Sequence, residues 1–196
     1  MTEPSPRPPT LRVMRASTAG EREVLESFLD FYRDVFVHKV RGVSDEDAAR
    51  RVLPSRTTLT GLVRHLIEVE RNWFHRLTNP AIDEEERANE AGGAEAGGAE
   101  AGGADPTDRA DAEPPSSWDL DPADTLEAAL ADYDRACAHS RTSAAGFTLD
   151  DVVPQPELGQ VSVRWIYVHM VEEIARHTGH ADILRELTDG STGELG

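Results

Sequence analysis

The sequence predicts an all-α protein, a bundle of four long helices joined by long connections. Apolar residues recur at helical spacing in four separate stretches, and residues typical of helix starts and stops flank them. No strong strand signal accompanies these stretches, although residues 147–153 could form a short extended piece. A chain of 196 residues is long enough to pack such helices around one core.

The first long helix is expected over about residues 21–40, with Thr18 and Glu21 forming a capping box at its start. Its apolar stripe consists of Val24, Phe28, Phe31 and Val35. His38 lies near the end of this stripe, so we expect a partly buried histidine at a helix end.

A short helix over residues 44–53 leads to the second long helix, which is expected over about residues 58–77. The apolar stripe of this second helix consists of Leu59, Leu62, Leu66, Val69, Trp73 and Leu77. His65 lies at the edge of the stripe, and Gly61, one turn earlier, leaves room beside its imidazole. Periodicity alone favours a boundary histidine over a ligand at this position. His75 points away from the stripe and is expected in solvent.

Order should resume near Trp118, and the third long helix is expected to begin at Asp121 with Pro122 as its first residue. Its apolar stripe consists of Leu126, Leu130, Tyr133 and Cys137, and the helix should end near Arg141. Cys137 is the only cysteine, which excludes an intrachain disulfide, and its place on the stripe indicates a small core residue. His139 lies off the stripe and is expected to be exposed.

The last stretch, over about residues 161–187, predicts the longest helix. Ser162 is its expected N-cap, and Asp189 with Gly190 is its expected stop. Five residues fall within roughly 60° of one another on a helical wheel and define the face that should be buried. They are Ile166, Met170, Glu173, His177 and Leu184. A carboxylate and an imidazole therefore lie in the middle of a buried face.

Glu173 and His177 are four residues apart, so their side chains can converge on one point. An ionised carboxylate is very costly to bury without a partner. A divalent metal would satisfy both groups, and so would a direct hydrogen bond between them inside the bundle. Spacing alone does not decide between these two interpretations.

Residues 83–116 are predicted to form a flexible acidic insert between the second and third long helices. Within it, residues 91–105 repeat the unit AGGAE or AGGAD three times, a composition that cannot bury a core. We favour a tolerated insertion over an acidic recruiting segment. The chain is expected to form a single domain over residues 11–190, with disordered ends at 1–10 and 191–196.

The net charge of −17 is concentrated in the same region, because residues 81–125 contain 14 acidic and 2 basic residues. Neither this region nor the rest of the chain has a basic stripe, which argues against nucleic acid and anionic membranes as partners. The repeats follow no strand and contain no lysine, so they do not form a phosphate loop. No run of about 18 apolar residues and no secretory signal is found, so we expect a cytoplasmic protein.

The segments GLVRHLIEVERNWF and WIYVHMVEEIARHTGHADILREL, separated by an acidic variable region, resemble the DinB-like superfamily. The similarity is greatest to the actinobacterial branch known as a domain of unknown function or "mini-circle" protein. It covers about residues 11–190 apart from the repeats, and its most specific parts are the two histidine-bearing helices. The resemblance implies a four-helix bundle that holds a divalent metal through three side chains.

Within this resemblance, His65 matches the metal-binding histidine of the second long helix. His177 matches the second of two ligands that lie four residues apart on the last helix. Glu173 stands where many relatives have histidine, and the Glu-x-x-x-His pair is similar to the mycothiol-dependent maleylpyruvate isomerase branch. The resemblance thus implies a metal site of His65, Glu173 and His177. His169 and His180 flank the pair on the wheel and are expected as reserve ligands or as partners that orient a ligand.

Two histidines and one carboxylate would leave an open coordination position, which is typical of catalytic metal sites. Zinc, nickel, manganese or iron would all suit these ligands. If the open position takes a thiol, the protein is a thiol-dependent S-transferase, with mycothiol as the thiol implied by the relatives and a small electrophile as substrate. If it takes water, the protein is a hydrolase of a small substrate. A non-catalytic bundle that binds metal or a small ligand in a stress response is the third hypothesis. Bundles of this kind often pair, so a homodimer is an open alternative, although the sequence identifies no exposed apolar patch.

Overall fold

The structure is a computed structural model that describes residues 10–79, 118, 120, 124–156 and 158–192. The predicted acidic insert with its repeats lies outside the described residues. Most of the two predicted disordered ends, residues 1–9 and 193–196, lies outside them as well.

Helices dominate the described part of the chain, which confirms the predicted fold class. In chain order the elements are α1 (Thr10–Arg15), α2 (Glu21–Val40), α3 (Asp45–Ala49), α4 (Leu59–Trp73), α5 (Leu126–Ala145), β1 (Val152–Gln155), β2 (Gly159–Ser162) and α6 (Val163–Asp189). Short 3-10 turns follow α1 and α4, at Ala16–Thr18 and His75–Leu77. Within the described residues, no helix combines the length and the apolar character needed to cross a bilayer.

The ends of most helices follow from local sequence signals. Side-chain oxygens of Thr58, Thr125 and Ser162 accept hydrogen bonds from backbone N–H groups three residues on, which satisfies first-turn donors of α4, α5 and α6. Gly190 ends α6 in the left-handed conformation, at φ 77°, as the predicted stop requires. The predicted capping box of α2 is wrong, because Thr18 belongs to a 3-10 turn and Gly20 is the N-cap residue, without a side-chain bond.

The third helix begins and ends later than predicted. Its first residue is Leu126, because Thr125 is the N-cap, and Asp124 before it is not helical. Its last residue is Ala145, four residues beyond the expected end. All four residues of its predicted apolar stripe are buried, which confirms its predicted core face.

Contacts between the four long helices fix their directions. Arg22 lies over the ring of Tyr167 and Lys39 is 2.7 Å from Asp182, so α2 and α6 run in the same direction. Arg22 also donates to the Ala144 carbonyl, and Phe36 packs on Tyr133, so α5 runs opposite to α2.

The α4 helix lies antiparallel to α6, because His65 packs on His177 and Trp73 packs on Trp165. It follows that α4 and α5 run in the same direction. The end of α4 and the start of α5 therefore lie at opposite ends of the bundle, about 22 Å apart for the 15 residues of α4.

The buried face of α2 differs from the predicted stripe. Of the predicted stripe, Val35 is buried as expected but Phe28 is 39% exposed, while Leu29, Phe36 and Val40 fill the rest of the core face. Three charged residues of α2 are buried as well: Asp30 and Arg33, and Lys39, which pairs with Asp182 of α6. His38 is exposed rather than partly buried, because it lies outside this rotated face.

An ion-pair network explains the buried charges. Arg33 donates two hydrogen bonds to the fully buried Glu70 of α4, at 2.8 and 2.6 Å. Asp30 accepts from Arg33 at 3.1 Å, from Arg141 of α5 at 2.8 Å and from Arg12 of α1 at 2.6 Å. The network joins four helices through paired charges, which is the arrangement that makes buried charge tolerable.

A small antiparallel hairpin, not predicted from the sequence, connects α5 to α6. Its register pairs Val152 with Ser162 and Gln155 with Gly159. Pro154 within β1 has no N–H group to donate to a partner strand, so the sequence of this segment does not indicate a strand. The predicted extended piece over 147–153 overlaps only the beginning of this hairpin.

Candidate metal centre

Two antiparallel helices bring the three predicted ligands together. His65 comes from the middle of α4, and Glu173 and His177 lie one turn apart in the middle of α6. Glu173 and His177 are each 7% exposed, whereas the His65 side chain is 25% exposed. The buried face of α6 is the one that periodicity predicts, with Ile166, Met170 and Leu184 in the core around the pair.

Donor atoms of the three side chains lie within 4.8 Å of one another. His177 Nε2 is 3.0 Å from Glu173 Oε1, and His65 Nε2 is 3.6 Å from the same oxygen. Around a tetrahedral ion with bonds of about 2.1 Å, donors are separated by about 3.4 Å. The donor set and its spacing therefore fit a divalent metal with small side-chain adjustments. The alternative of a direct hydrogen bond between Glu173 and His177 also agrees with the structure, since His177 Nε2 contacts Glu173 Oε1.

Electrostatics favour the protonation states that metal ligands need. Burial would raise the pKa of Glu173, but the Arg176 guanidinium and His177 outweigh burial and lower that pKa. Burial and the neighbouring His65 lower the pKa of His177. A carboxylate and a neutral imidazole are therefore both favoured at neutral pH, and these are the forms that bind cations.

His180 and Arg176 contact the ligands from outside. His180 Nδ1 is 3.4 Å from His177 Nδ1, the ring nitrogen that does not face Glu173. With His177 Nε2 directed at a cation, its Nδ1 carries the proton and can donate to His180, which fixes the tautomer. Arg176 donates to Glu173 Oε2, so Oε1 is the oxygen directed at both histidines.

Trp118 packs against His65, a contact that sequence reasoning missed. The indole and the imidazole stack at 5.4 Å with an interplanar angle of 24°. A Cβ atom at Gly61 would lie 3.0 Å from Trp118 Cε3 and 3.0 Å from Thr58 Oγ1. The room left by Gly61 is thus taken by the indole. The only sequence signal was a glycine one turn before a boundary histidine.

The remaining histidines are not part of the three-residue cluster. His169 packs on Trp73 and Trp165, at 4.4 and 5.0 Å between ring centroids. His139 is exposed, as predicted. The prediction of a solvated His75 is wrong. Because α4 ends at Trp73 and a 3-10 turn follows, the wheel does not extend to His75, which is buried with Nε2 3.2 Å from the Ala136 carbonyl.

Cys137 is a buried core residue, as predicted. Its Sγ lies 3.7 Å from Glu70 Oε1, and burial together with that carboxylate raises the pKa of the thiol well above its usual range. A thiol that resists deprotonation is a poor nucleophile and a poor metal ligand. Cys137 therefore contributes packing rather than chemistry.

A large cavity of about 750 Å³ lies between α1, α2 and α5 in the described part of the chain. None of the described residues that line it is a candidate metal ligand, and its polar wall is the Asp30 network already described. The volume of this cavity and the arrangement of possible metal ligands therefore indicate two different sites. We place the candidate site at His65, Glu173 and His177, because the charged side chains of the Asp30 network are already paired with one another.

Comparison with known proteins identifies the family of the chain. The family model described as Mycothiol-S-transferase matches residues 24–190. No curated protein and no solved structure matches the chain. The match extends from α2 to the end of α6 and includes all three candidate ligands. The chain therefore belongs to the mycothiol-S-transferase family, a DinB-like family.

Proposed function

We propose that the protein is a metal-dependent S-transferase that joins mycothiol to a small electrophile. The observation that carries this proposal is the convergence of His65, Glu173 and His177, from two antiparallel helices, in a chain of the mycothiol-S-transferase family. Neither membership of the family nor the buried Glu173–His177 pair would by itself call for a cation.

In this proposal His65 Nε2, Glu173 Oε1 and His177 Nε2 hold the ion, and His180 orients His177 through its Nδ1. A bound divalent metal would lower the pKa of a thiol at its open position, so that the sulfur reacts as a thiolate. His65 is the most accessible of the three side chains, so a thiol would approach the centre from its side.

The reacting thiol has to come from outside the chain. Cys137 is the only cysteine, it is buried, and its raised pKa keeps it protonated. A cofactor thiol such as mycothiol is consistent with the family and would enter through the accessible side of the centre. This supports a transferase over an enzyme that uses its own cysteine as nucleophile.

The test combines metal content with turnover. Purified protein should hold about one divalent ion per chain after dialysis, and its thiol transfer should require both the ion and mycothiol. His65→Ala, Glu173→Ala and His177→Ala should each lose stoichiometric metal and transfer activity. His139→Ala is the matched control, because His139 is exposed and distant from the cluster; it should change neither quantity.

Two outcomes would overturn the proposal. Turnover of a substrate in water, independent of thiol, would make the protein a hydrolase. A wild-type protein without metal at neutral pH would leave a non-catalytic ligand-binding bundle. If Glu173→Ala kept full metal while His169→Ala or His180→Ala lost it, the assigned ligand set would be wrong.

A further inference from the structure

An aromatic cluster lies beside the candidate metal centre, on the same two helices, α4 and α6. It consists of Trp73, Trp165 and His169, which we name the aromatic wall. Ring centroids are 4.4 Å apart for Trp73 and His169, 5.0 Å for Trp165 and His169, and 5.3 Å for the two indoles. The Trp165 and His169 rings are nearly parallel, with an interplanar angle of 13°.

Helix geometry places the wall next to the metal ligands. On α6, Trp165, His169, Glu173 and His177 are spaced by four residues and form one row. At a rise of 1.5 Å per residue, His169 is about 6 Å and Trp165 about 12 Å from Glu173 along the helix axis. On the antiparallel α4, Trp73 is likewise about 12 Å from His65. A ligand of one or two rings on the wall would therefore reach the centre.

The aromatic wall is partly exposed to solvent, whereas side chains that served only to pack the core would be buried. Trp165 is 41% exposed, and the His169 side chain is 24% exposed. A cluster of accessible aromatic side chains, unlike a single exposed one, is typical of a ligand-binding surface. The chain has three tryptophans, and the third, Trp118, stacks on the candidate ligand His65.

Behind Trp73 is a small cavity of about 230 Å³. Its lining is mostly apolar and includes Val153, Pro154, Val161 and Ile166 from the hairpin and α6. Pockets for drug-sized ligands usually enclose about 300–1,000 Å³, so this cavity suits a smaller apolar group. Trp73 belongs to both the aromatic wall and the lining of this cavity, so the two adjoin at its indole.

We infer that the aromatic wall binds the planar, apolar ring system of an electrophilic substrate and directs its reactive carbon towards the metal centre. The reaction in this inference rests on the proposed function, whereas the binding does not. Flat indole and imidazole faces favour stacking with a planar ring over contact with a saturated group of equal size. Trp73 and Trp165 are therefore the residues that determine substrate class.

The first experiment measures binding without chemistry. The probe is 1,3-dinitrobenzene, a planar compound without a leaving group, titrated calorimetrically into the purified full-length protein, with cyclohexanol as the non-planar comparison. Trp165→Leu should weaken binding of the probe about tenfold, and Trp73→Phe, which keeps a ring and tolerates burial, should weaken it less. Phe28→Leu removes a similarly exposed aromatic residue from α2 and should leave binding unchanged.

The second experiment measures transfer from mycothiol to 1-chloro-2,4-dinitrobenzene and to iodoacetamide, which lacks a ring. With the first compound the thiolate sulfur bonds to the ring carbon and chloride leaves with the bonding electrons. Trp165→Leu should raise KM about tenfold for the aromatic electrophile, with little change in kcat, and leave KM for iodoacetamide and the metal content unchanged.

The two experiments separate failure of the inference from failure of the proposed function. Probe binding that depends on Trp165, without transfer to either electrophile, supports the wall and overturns the transferase. Transfer with equal probe affinity and equal KM in wild type and Trp165→Leu overturns the wall. Equal affinity for the planar and the saturated compound would also overturn it.

Discussion

The ion pair between Arg33 and Glu70 gives the strongest stability prediction. Glu70 is fully buried, the Arg33 side chain is 5% exposed, and two hydrogen bonds of 2.8 and 2.6 Å join them. Burial would lower the pKa of Arg33, but the carboxylate of Glu70 and its hydrogen bonds outweigh burial and raise it. The arginine therefore remains charged and depends on Glu70 for compensation.

Glu70→Ala would remove both bonds and leave Arg33 with Asp30, at 3.1 Å, as its remaining partner in this network. Removing one partner of a buried ion pair costs about 3–5 kcal/mol. Because Asp30 already compensates part of the charge, we expect the lower end, about 3 kcal/mol. For a chain of this size that corresponds to a thermal midpoint lowered by about 6–12 °C.

Differential scanning calorimetry and urea unfolding measure this effect. Glu68→Ala is the matched control, because Glu68 is exposed on the same helix, and it should change stability by less than about 0.5 kcal/mol. The double variant Arg33→Met, Glu70→Leu removes both charges and should recover most of the loss. A midpoint lowered by less than about 2 °C in Glu70→Ala would refute the reasoning, because it would mean that Arg33 reaches water.

Deleting residues 91–105 should leave folding and metal content intact; a midpoint lowered by more than about 10 °C would instead show that the segment packs. Cys137→Ala should lower the free energy of unfolding by about 1–2 kcal/mol and preserve transfer, so lost activity with an unchanged circular dichroism spectrum would make Cys137 a nucleophile. Burial would raise the pKa of Asp30, but Arg141 and Arg33 lower it below 3.8. Its stabilisation is therefore complete above about pH 4 and is lost as the pH falls through the folded pKa. Asp30→Asn should flatten the loss of stability between about pH 4 and pH 2 in urea unfolding, and an unchanged slope would contradict this assignment.

The last helix could be predicted because its signals are local. Ser162 and Gly190 mark its ends, and the stripe through Met170 and Leu184 identifies its buried face. The same local pattern placed Glu173 and His177 side by side. What periodicity could not supply was the third side chain, because His65 is joined to them only by tertiary packing. Resemblance to a family supplied His65, and the structure places its Nε2 3.6 Å from Glu173 Oε1.

The buried face of α2 could not be predicted for a related reason. A stripe drawn from apolar residues excludes Asp30 and Arg33, since each charge alone is too costly to bury. Their compensating partners, Glu70 and Arg141, lie 37 and 111 residues away in the sequence. Only the packed structure shows that these charges neutralise one another. The prediction for His75 was wrong for a different reason. Helix α4 ends at Trp73, so helical periodicity no longer applies at His75.

The directions of α4 and α5 determine how far the connection between them must reach. This connection also contacts the candidate metal centre, through Trp118. The chain leaves α4 at one end of the bundle and must enter α5 at the other, a distance that about seven extended residues can span. The connection has 44 residues, 80–123, so removing the 15 of the repeats leaves ample length. Its Trp118, however, returns to α4 and stacks on His65 in the room that Gly61 provides. Length can therefore change freely before Trp118, whereas a change at Trp118 or Gly61 would remove a contact that holds the imidazole of a candidate ligand.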